Sequence, residues 1–226
     1  MAALPAAAVA DALVRLGLPV RLAPATIRRA VLGDPIAGPA VPVRHFGSVD
    51  VFLEAYEAAP PGGILVIDNE GRVDEACIGD LTVAEARLAG LTGIVLWGYH
   101  RDSAALPGIG LSVWSLGALP AGPRAPRTKD GDPFAKARVG DIVVTRSDVV
   151  VADDDGVVFV EGERWPEVES IATKIAADEG RQADMIARGT SLRGQLDFAG
   201  YLARRATVPG YTLRQHLLER GGAIET

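Results

Sequence analysis

Between Glu75 and Trp97 the sequence reads EACIGDLTVAEARLAGLTGIVLW, and no other stretch limits the fold as tightly. Two short apolar runs, EACIG and GIVLW, flank a segment that is expected to be helical from about Thr82 to about Gly90. Strand, helix and strand in that order make a βαβ unit. Its strands are parallel, because the helix carries the chain back to the edge where the first strand began. The expected class is therefore α/β, with EACIG and GIVLW as neighbours.

The flanking sequence extends this reading. IAGPAVPVRHF and GGILVID are short apolar runs broken by Gly and Pro, as buried strands are, and Ser48 to Ala59 between them places Val49, Phe52, Leu53 and Tyr56 on one helical face. LSVWSLG is a further strand. The loop ALPAGPRAPRTKDGDPF that follows has the Pro, Gly and basic residues of a surface excursion. In VGDIVVTRSDVVVADDDGVVFVEG, the DDDG segment makes a tight turn between two valine-rich strands. At the start, Val9, Leu13 and Leu16 recur at i, i+4 and i+7 of an amphipathic helix. From Trp165 the spacing becomes helical again, through Val168, Ile171, Ala172 and Ile175. Residues 1–163 are expected to form an α/β domain and residues 164–226 a helical extension.

Composition narrows the function. A chain of 226 residues that is 48% hydrophobic and 23% charged can bury a substantial core. A net charge of -6 and a pI near 5.1 argue against a broad electrostatic footprint for nucleic acid or anionic membranes. The single cysteine, Cys77, excludes an internal disulfide framework and a cysteine zinc cluster, which suits a reducing cytoplasm. The start lacks a basic leader region, and no run approaches the roughly 18 apolar residues of a membrane span.

The charges of interest sit at the ends of the βαβ strands. Asp80 follows EACIG, Arg101 and Asp102 follow GIVLW, and twenty residues separate Asp80 from Arg101. Parallel strands release their following loops at one edge of the sheet, strands lie about 4.8 Å apart, and ligands of open α/β sheets bind at that edge. Thr82 and Glu85 fit a T-x-x-E capping box that starts the helix near Thr82, leaving the amides of Leu81 and Thr82 to attract a carboxylate or phosphate. Arg101 can grip the same anion with its planar fork, and Asp80 and Asp102 offer hard oxygens suited to Mg²⁺ or Mn²⁺. The same residues admit a plainer reading, in which Asp80 and Asp102 cap local turns and Arg101 makes a surface ion pair.

The remaining candidates are weaker. VADDDGVV has the acids of a calcium loop without its alternating ligands, so a hairpin turn is the simpler account. His100 stands beside Arg101 and either lines the same pocket or is structural. His45 and His216 have no partners at metal-ligand spacing, and Cys77 reads as a small buried strand residue. No G-x-S-x-G, Walker A or H-E-x-x-H pattern occurs.

From Val9 to Val160 the chain resembles the RraA-like family, which includes regulators of ribonuclease activity and class II 4-hydroxy-4-methyl-2-oxoglutarate aldolases. The resemblance runs through VADALVRLGL, IAGPAVPV, PPGGILVID, GDLTVAEARLAGLTGIVLWGYHRD and VGDIVVTRSDVVVADDDGVV, and the D-x20-R-D pattern of Asp80, Arg101 and Asp102 is its most specific part. It implies a swivelling β/β/α sandwich with a parallel βαβ core and a C-terminal helical extension. It also implies a pyruvate-type site, in which Asp102 binds Mg²⁺ (or Mn²⁺) directly and Asp80 holds metal-bound water. Gly79, Leu81, Thr82, Arg101 and His100 then contact a small 2-oxo acid, with Arg101 and Asp80 catalytic.

The activity implied is that of a lyase, a pyruvate aldolase with oxaloacetate decarboxylase chemistry, in a cytoplasmic homotrimer or hexamer whose neighbouring subunit supplies an acid, here guessed as Glu179. Neither nucleic acid nor membrane is an expected partner. Two other readings are a non-catalytic regulator of ribonuclease activity and a methyltransferase; the lack of a glycine-rich nucleotide loop after the first strand speaks against the latter. The chain departs from the family where Asp-Gly before Arg-Asp becomes WGYHRD, which leaves the substrate open. It departs again at VGDIVV, where Pro-Gly-Asp is usual.

Overall fold

The computed structural model describes residues 4–31, 33–129 and 131–221. Met1–Ala3, within the stretch read as the first helix, and Asp130, in the basic loop, lie outside the described residues. The order is α1 (Ala6–Arg15), β1 (Arg21–Leu22), β2 (Arg28–Arg29), β3 (Ile36–Arg44), α2 (Asp50–Ala58), β4 (Ile64–Asp68), β5 (Ala76–Ile78), α3 (Asp80–Leu88), β6 (Gly93–Trp97) and β7 (Tyr99–His100). There follow α4 (Leu106–Ile109), β8 (Ser112–Ser115), β9 (Lys136–Val139), β10 (Ile142–Thr145), β11 (Asp148–Ala152), β12 (Val157–Glu161), α5 (Trp165–Ala187), α6 (Leu192–Gln195), α7 (Phe198–Thr207) and α8 (Leu213–Glu219). Among the described residues no helix is long and apolar enough to cross a membrane.

Eight strands form one mixed sheet in the order β1-β12-β11-β3-β4-β6-β8-β2. The centre, β3-β4-β6-β8, is parallel, and both flanks are antiparallel. The valine-rich runs alternate between two buried faces. Ile64 and Val66 of β4 face one core while Leu65 and Ile67 face another, and in β11 Val150 and Ala152 part from Val149 and Val151 in the same way. Apolar residues at consecutive positions are what a sheet covered on both sides requires.

Three cores result. Within the curl of the sheet, Trp114, Phe159 and Val66 pack against Ala137, Val139 and Val144 of the β9–β10 hairpin. Outside the parallel half, Phe52, Val83 and Leu106 bring in α2, α3 and α4. Outside the antiparallel half, Val9 and Leu13 of α1 meet Trp165, Val168, Ala172 and Ile175 of α5. The architecture is mixed α/β, as the resemblance implies, and the structure adds that the sheet is curled, with helices outside it and the β9–β10 hairpin inside.

The expected pairing of EACIG with GIVLW is corrected. Both edges of β6 are occupied, by β4 and β8, so β5 finds no free edge on β6. It pairs in parallel instead with β7, after the chain leaves the sheet at Gly98. The basic loop is corrected in part: Arg127 within it turns inward, and its Nη1 lies 2.7 Å from the buried carboxylate of Glu75.

Candidate active site

The site begins where β5 runs into α3. Gly79 is extended, with φ -147 and ψ -166, and the first helical bond is Val83 N–H to Gly79 O at 3.0 Å. The helix thus starts two residues before Thr82, which corrects the T-x-x-E box. Thr82 is instead the third helical residue, its hydroxyl accepting from Gly79 N at 2.9 Å and reaching Gly79 O at 2.8 Å. The amides of Asp80, Leu81 and Thr82 precede the helical ladder and carry the partial positive charge of a helix start. Leu81 N–H already donates to Asp80 Oδ1 at 2.7 Å.

The short β7 brings the other two charges to this turn. Arg101 N–H donates to Ile78 O at 3.0 Å, so the backbone before Asp80 and the backbone of Arg101 are hydrogen-bonded neighbours. Asp102 follows in the left-handed region at φ 60, which turns its side chain back across α3 rather than along its own loop. Its Oδ2 lies 3.4 Å from both Asp80 N and Arg101 Nε. Gly79 permits this approach, because a Cβ there would overlap Asp102 Oδ2 and come within 3.2 Å of Arg101 Cγ and Nε.

A third segment closes one side. Leu119 N–H donates to His100 O at 2.8 Å and Ala76 N–H to Ala121 O at 2.7 Å. This brings Gly122 against the guanidinium, where a Cβ would be 2.8 Å from Arg101 Nη1. Arg101 remains 50% and Asp102 40% exposed, so both can meet a solute from solvent. With Nε on Asp102, the terminal nitrogens of Arg101 are left for a bidentate anion.

The candidates beside this cluster are placed differently. His100 is buried with both ring nitrogens engaged, Nδ1 to Ser115 Oγ at 2.7 Å and Nε2 to Ser103 Oγ at 3.0 Å, and burial pushes its pKa down. It ties β7 to β8 and to the turn after Asp102, presenting no spare nitrogen to a ligand. Trp97 packs under Gly71 and against the core inside the curl, and Tyr99 lies beside Gly117. Glu179 lines a cavity of about 420 Å³ among α1, α5, α6 and α8, none of whose lining residues belongs to the Asp80 cluster. Cys77 is buried, which raises its thiol pKa, and DDDG is a hairpin turn closed by Asp153 N–H to Gly156 O at 3.0 Å.

Sequence reasoning missed a buried network at the carboxyl ends of β3 and β4. Arg127 Nη1 meets Glu75 Oε1 at 2.7 Å, its Nη2 meets Asn69 Oδ1 at 3.2 Å, and Asn69 Oδ1 lies 2.9 Å from His45 Nδ1. Burial holds the His45 pKa down. The network anchors the basic loop that places Gly122. Only Glu75, an acid directly before an apolar strand, hints at it in the sequence.

The donor chemistry fits a hard divalent ion. No group of three or more His, Cys, Asp or Glu able to hold a metal occurs among the described residues. Mg²⁺ does not require one, since it is commonly held by one or two carboxylates and keeps several waters. Asp80 and Asp102, oxygen donors at an exposed edge beside a cation and a helix start, are such a pair.

Residues 6–159 match the family model RraA-like, described as Aldolase/RraA. The chain is similar to the crystal structure of an uncharacterized protein from Pseudomonas syringae pv. tomato, with 26% identity and a TM-score of 0.73, covering 84% of this chain and 91% of that one. It is similar to RraAS2 of Streptomyces coelicolor, described as an unusual member of the RNase ES inhibitor RraA protein family, with 25% identity, a TM-score of 0.63, and coverage of 81% and 91%. A structure from Geobacillus kaustophilus described as S-adenosylmethionine: 2-dimethylmenaquinone methyltransferase matches at 26% identity and TM-score 0.59, over 67% and 93%. With a family match over most of its length and the fold to go with it, the chain belongs to the RraA-like family.

Proposed function

We propose that Asp80, Arg101 and Asp102 form the active site of a metal-dependent lyase that cleaves a 4-hydroxy-2-oxo acid to pyruvate and also decarboxylates oxaloacetate. The observation that carries this reading is the convergence at Gly79. There a side chain is excluded, so that the Asp102 carboxylate, the Arg101 guanidinium and the start of α3 share one small volume.

Asp102 would hold Mg²⁺ or Mn²⁺ directly and Asp80 through water. Once bound, the ion supplies Lewis-acid polarisation of the 2-oxo carbonyl. The chain's own groups do the rest. Arg101 binds the substrate carboxylate or keto oxygen and opposes the negative charge that grows on that oxygen, with the amides at the start of α3 adding their dipoles. In the aldol cleavage the C4 hydroxyl loses its proton, the C3–C4 bond breaks, and the bonding pair moves towards the carbonyl. Asp80, acting through water, takes the hydroxyl proton, and C3 is then protonated to give pyruvate. Oxaloacetate differs only in losing carbon dioxide from the same carbon. The substrate is thus a small 2-oxo acid, and a single reduced, buried cysteine suits a cytoplasmic setting.

A rival reading, a non-catalytic regulator, is favoured by the similarity to the Streptomyces protein. One assay separates the two: purified protein with Mg²⁺, given oxaloacetate or 4-hydroxy-4-methyl-2-oxoglutarate, followed by pyruvate release. Turnover that is lost in Asp102→Ala, together with loss of Mn²⁺ binding by electron paramagnetic resonance, supports the lyase. No turnover of either substrate, or an unchanged rate in Asp102→Ala, removes it.

A further inference from the structure

We infer that His100 is a positioning residue: its ring is a strut from β8 to Ser103 that holds Asp102 in the left-handed conformation in which its carboxylate meets the start of α3. The inference rests on the reading of Asp80, Arg101 and Asp102 as one metal-binding site.

Both ends of the strut are defined. At one end His100 Nδ1 lies 2.7 Å from Ser115 Oγ, which also accepts from Gly117 N–H at 3.2 Å. Ser115 is on β8, a strand buried along its whole length, so this end belongs to the main sheet. At the other end Nε2 lies 3.0 Å from the hydroxyl of Ser103. Ser103 is itself exposed, so burial does not force its hydroxyl onto the ring.

Between the two ends lie Arg101 and Asp102. Residues with a Cβ seldom adopt a φ of 60, although Asp tolerates it better than most. Upstream of that torsion the backbone is fixed. His100 N–H donates to Gly117 O at 3.0 Å, Leu119 N–H to His100 O at 2.8 Å, and Arg101 N–H to Ile78 O at 3.0 Å. None of these bonds resists rotation about the N–Cα bond of Asp102. Downstream, Ala105 N–H closes a turn on Asp102 O at 2.9 Å, and a turn closed on itself rotates as a unit. The next anchor is Leu106, buried in the core beside α3. The contact from Asp80 N to Asp102 Oδ2 also crosses the torsion, but at 3.4 Å it is long. The bond from His100 to Ser103 is the short one that ties the fixed side of the torsion to the turning side.

A metal ligand that is in place only part of the time lowers the apparent metal affinity by that fraction. Saturating metal selects the competent conformation, so the loss appears in the metal dependence and not in the rate at saturation. A residue that only stabilised the fold would show the opposite, a lower melting temperature with unaltered metal affinity.

Ser103→Ala removes the outer end of the strut without opening the core, and Ser103→Thr keeps the hydroxyl. Electron paramagnetic resonance is expected to show Mn²⁺ binding about 5-fold weaker in Ser103→Ala, the effect of one hydrogen bond, and restored in Ser103→Thr. Oxaloacetate decarboxylation by Ser103→Ala should fall at limiting Mg²⁺ and recover at saturating Mg²⁺, with the melting temperature unchanged. In the metal-free protein, the ¹³Cα and ¹³Cβ shifts of Asp102 report its backbone angles. They should leave left-handed values in Ser103→Ala and keep them in Ser103→Thr. Wild-type Asp102 shifts in Ser103→Ala overturn the inference, whether or not a metal binds. So does a Mn²⁺ affinity that Ser103→Ala leaves unchanged and Asp102→Ala abolishes. An affinity unchanged in both variants removes the reading of the site instead, and the Asp102 shifts alone then decide whether the strut holds it.

Discussion

Gly79→Ala separates the geometry of the site from the stability of the fold. Gly79 has an extended backbone that alanine adopts freely, so no backbone strain follows. Its new Cβ would overlap Asp102 Oδ2 and crowd Arg101, and the carboxylate would have to retreat by about 1 Å to reach van der Waals separation. The Asp80 N to Asp102 Oδ2 contact that is lost is long, at 3.4 Å, and exposed. Losing a flexible glycine stabilises through the unfolded chain by about 0.4–1 kcal/mol, so the two effects nearly cancel in stability. A displacement of about 1 Å at a reacting centre, by contrast, can lower the rate ~100-fold. The expectation is therefore a melting temperature within a few degrees of wild type and kcat/KM for oxaloacetate with Mg²⁺ reduced on the order of 100-fold. Gly79→Ala retaining wild-type kcat/KM would refute the reasoning, because the working site would not need Asp102 against the start of α3. A protein that failed to fold would refute the cancellation.

Arg101→Lys keeps the charge and loses the planar fork, so KM for a 2-oxo acid should rise ~10-fold or more with a smaller change in kcat; steady-state kinetics would show it. The two buried histidines give a pH dependence of stability. Their folded pKa values lie below the usual 6.5, so between the two values the unfolded chain holds protons that the folded chain does not. Stability should be fully present above pH 6.5 and fall as the pH drops below it, by up to about 1.4 kcal/mol per pH unit for each histidine. Urea titrations across that range, with His100→Gln losing its share of the slope, check the sign. Cys77, buried with its thiol pKa raised, should resist a thiol reagent in the native state and react once urea unfolds the chain.

Much of this was legible locally. Apolar runs mark β3, β4, β6, β8, β11 and β12, because a strand buried on both faces needs such a run whatever its neighbours are, whereas β1 and β2, two residues each, carry no such signal. The twenty residues between Asp80 and Arg101 announce a helix and a strand that return the chain to one edge. The partner of β5 could not be read, since it depends on β4 and β8 having occupied both edges of β6. The role of His100 was equally hidden, because Ser115, fifteen residues on, decides which way its ring faces.

The sequence by itself determined the class of fold and the presence of three charges after the strands that flank one helix, for those follow from side-chain pattern and chain length. Only the tertiary structure decided that Gly79 stands empty for Asp102, that Thr82 is the third residue of its helix, and that Arg127 reaches inward to Glu75. Each of these depends on atoms that meet across long sequence separations, where packing and not local propensity sets the geometry.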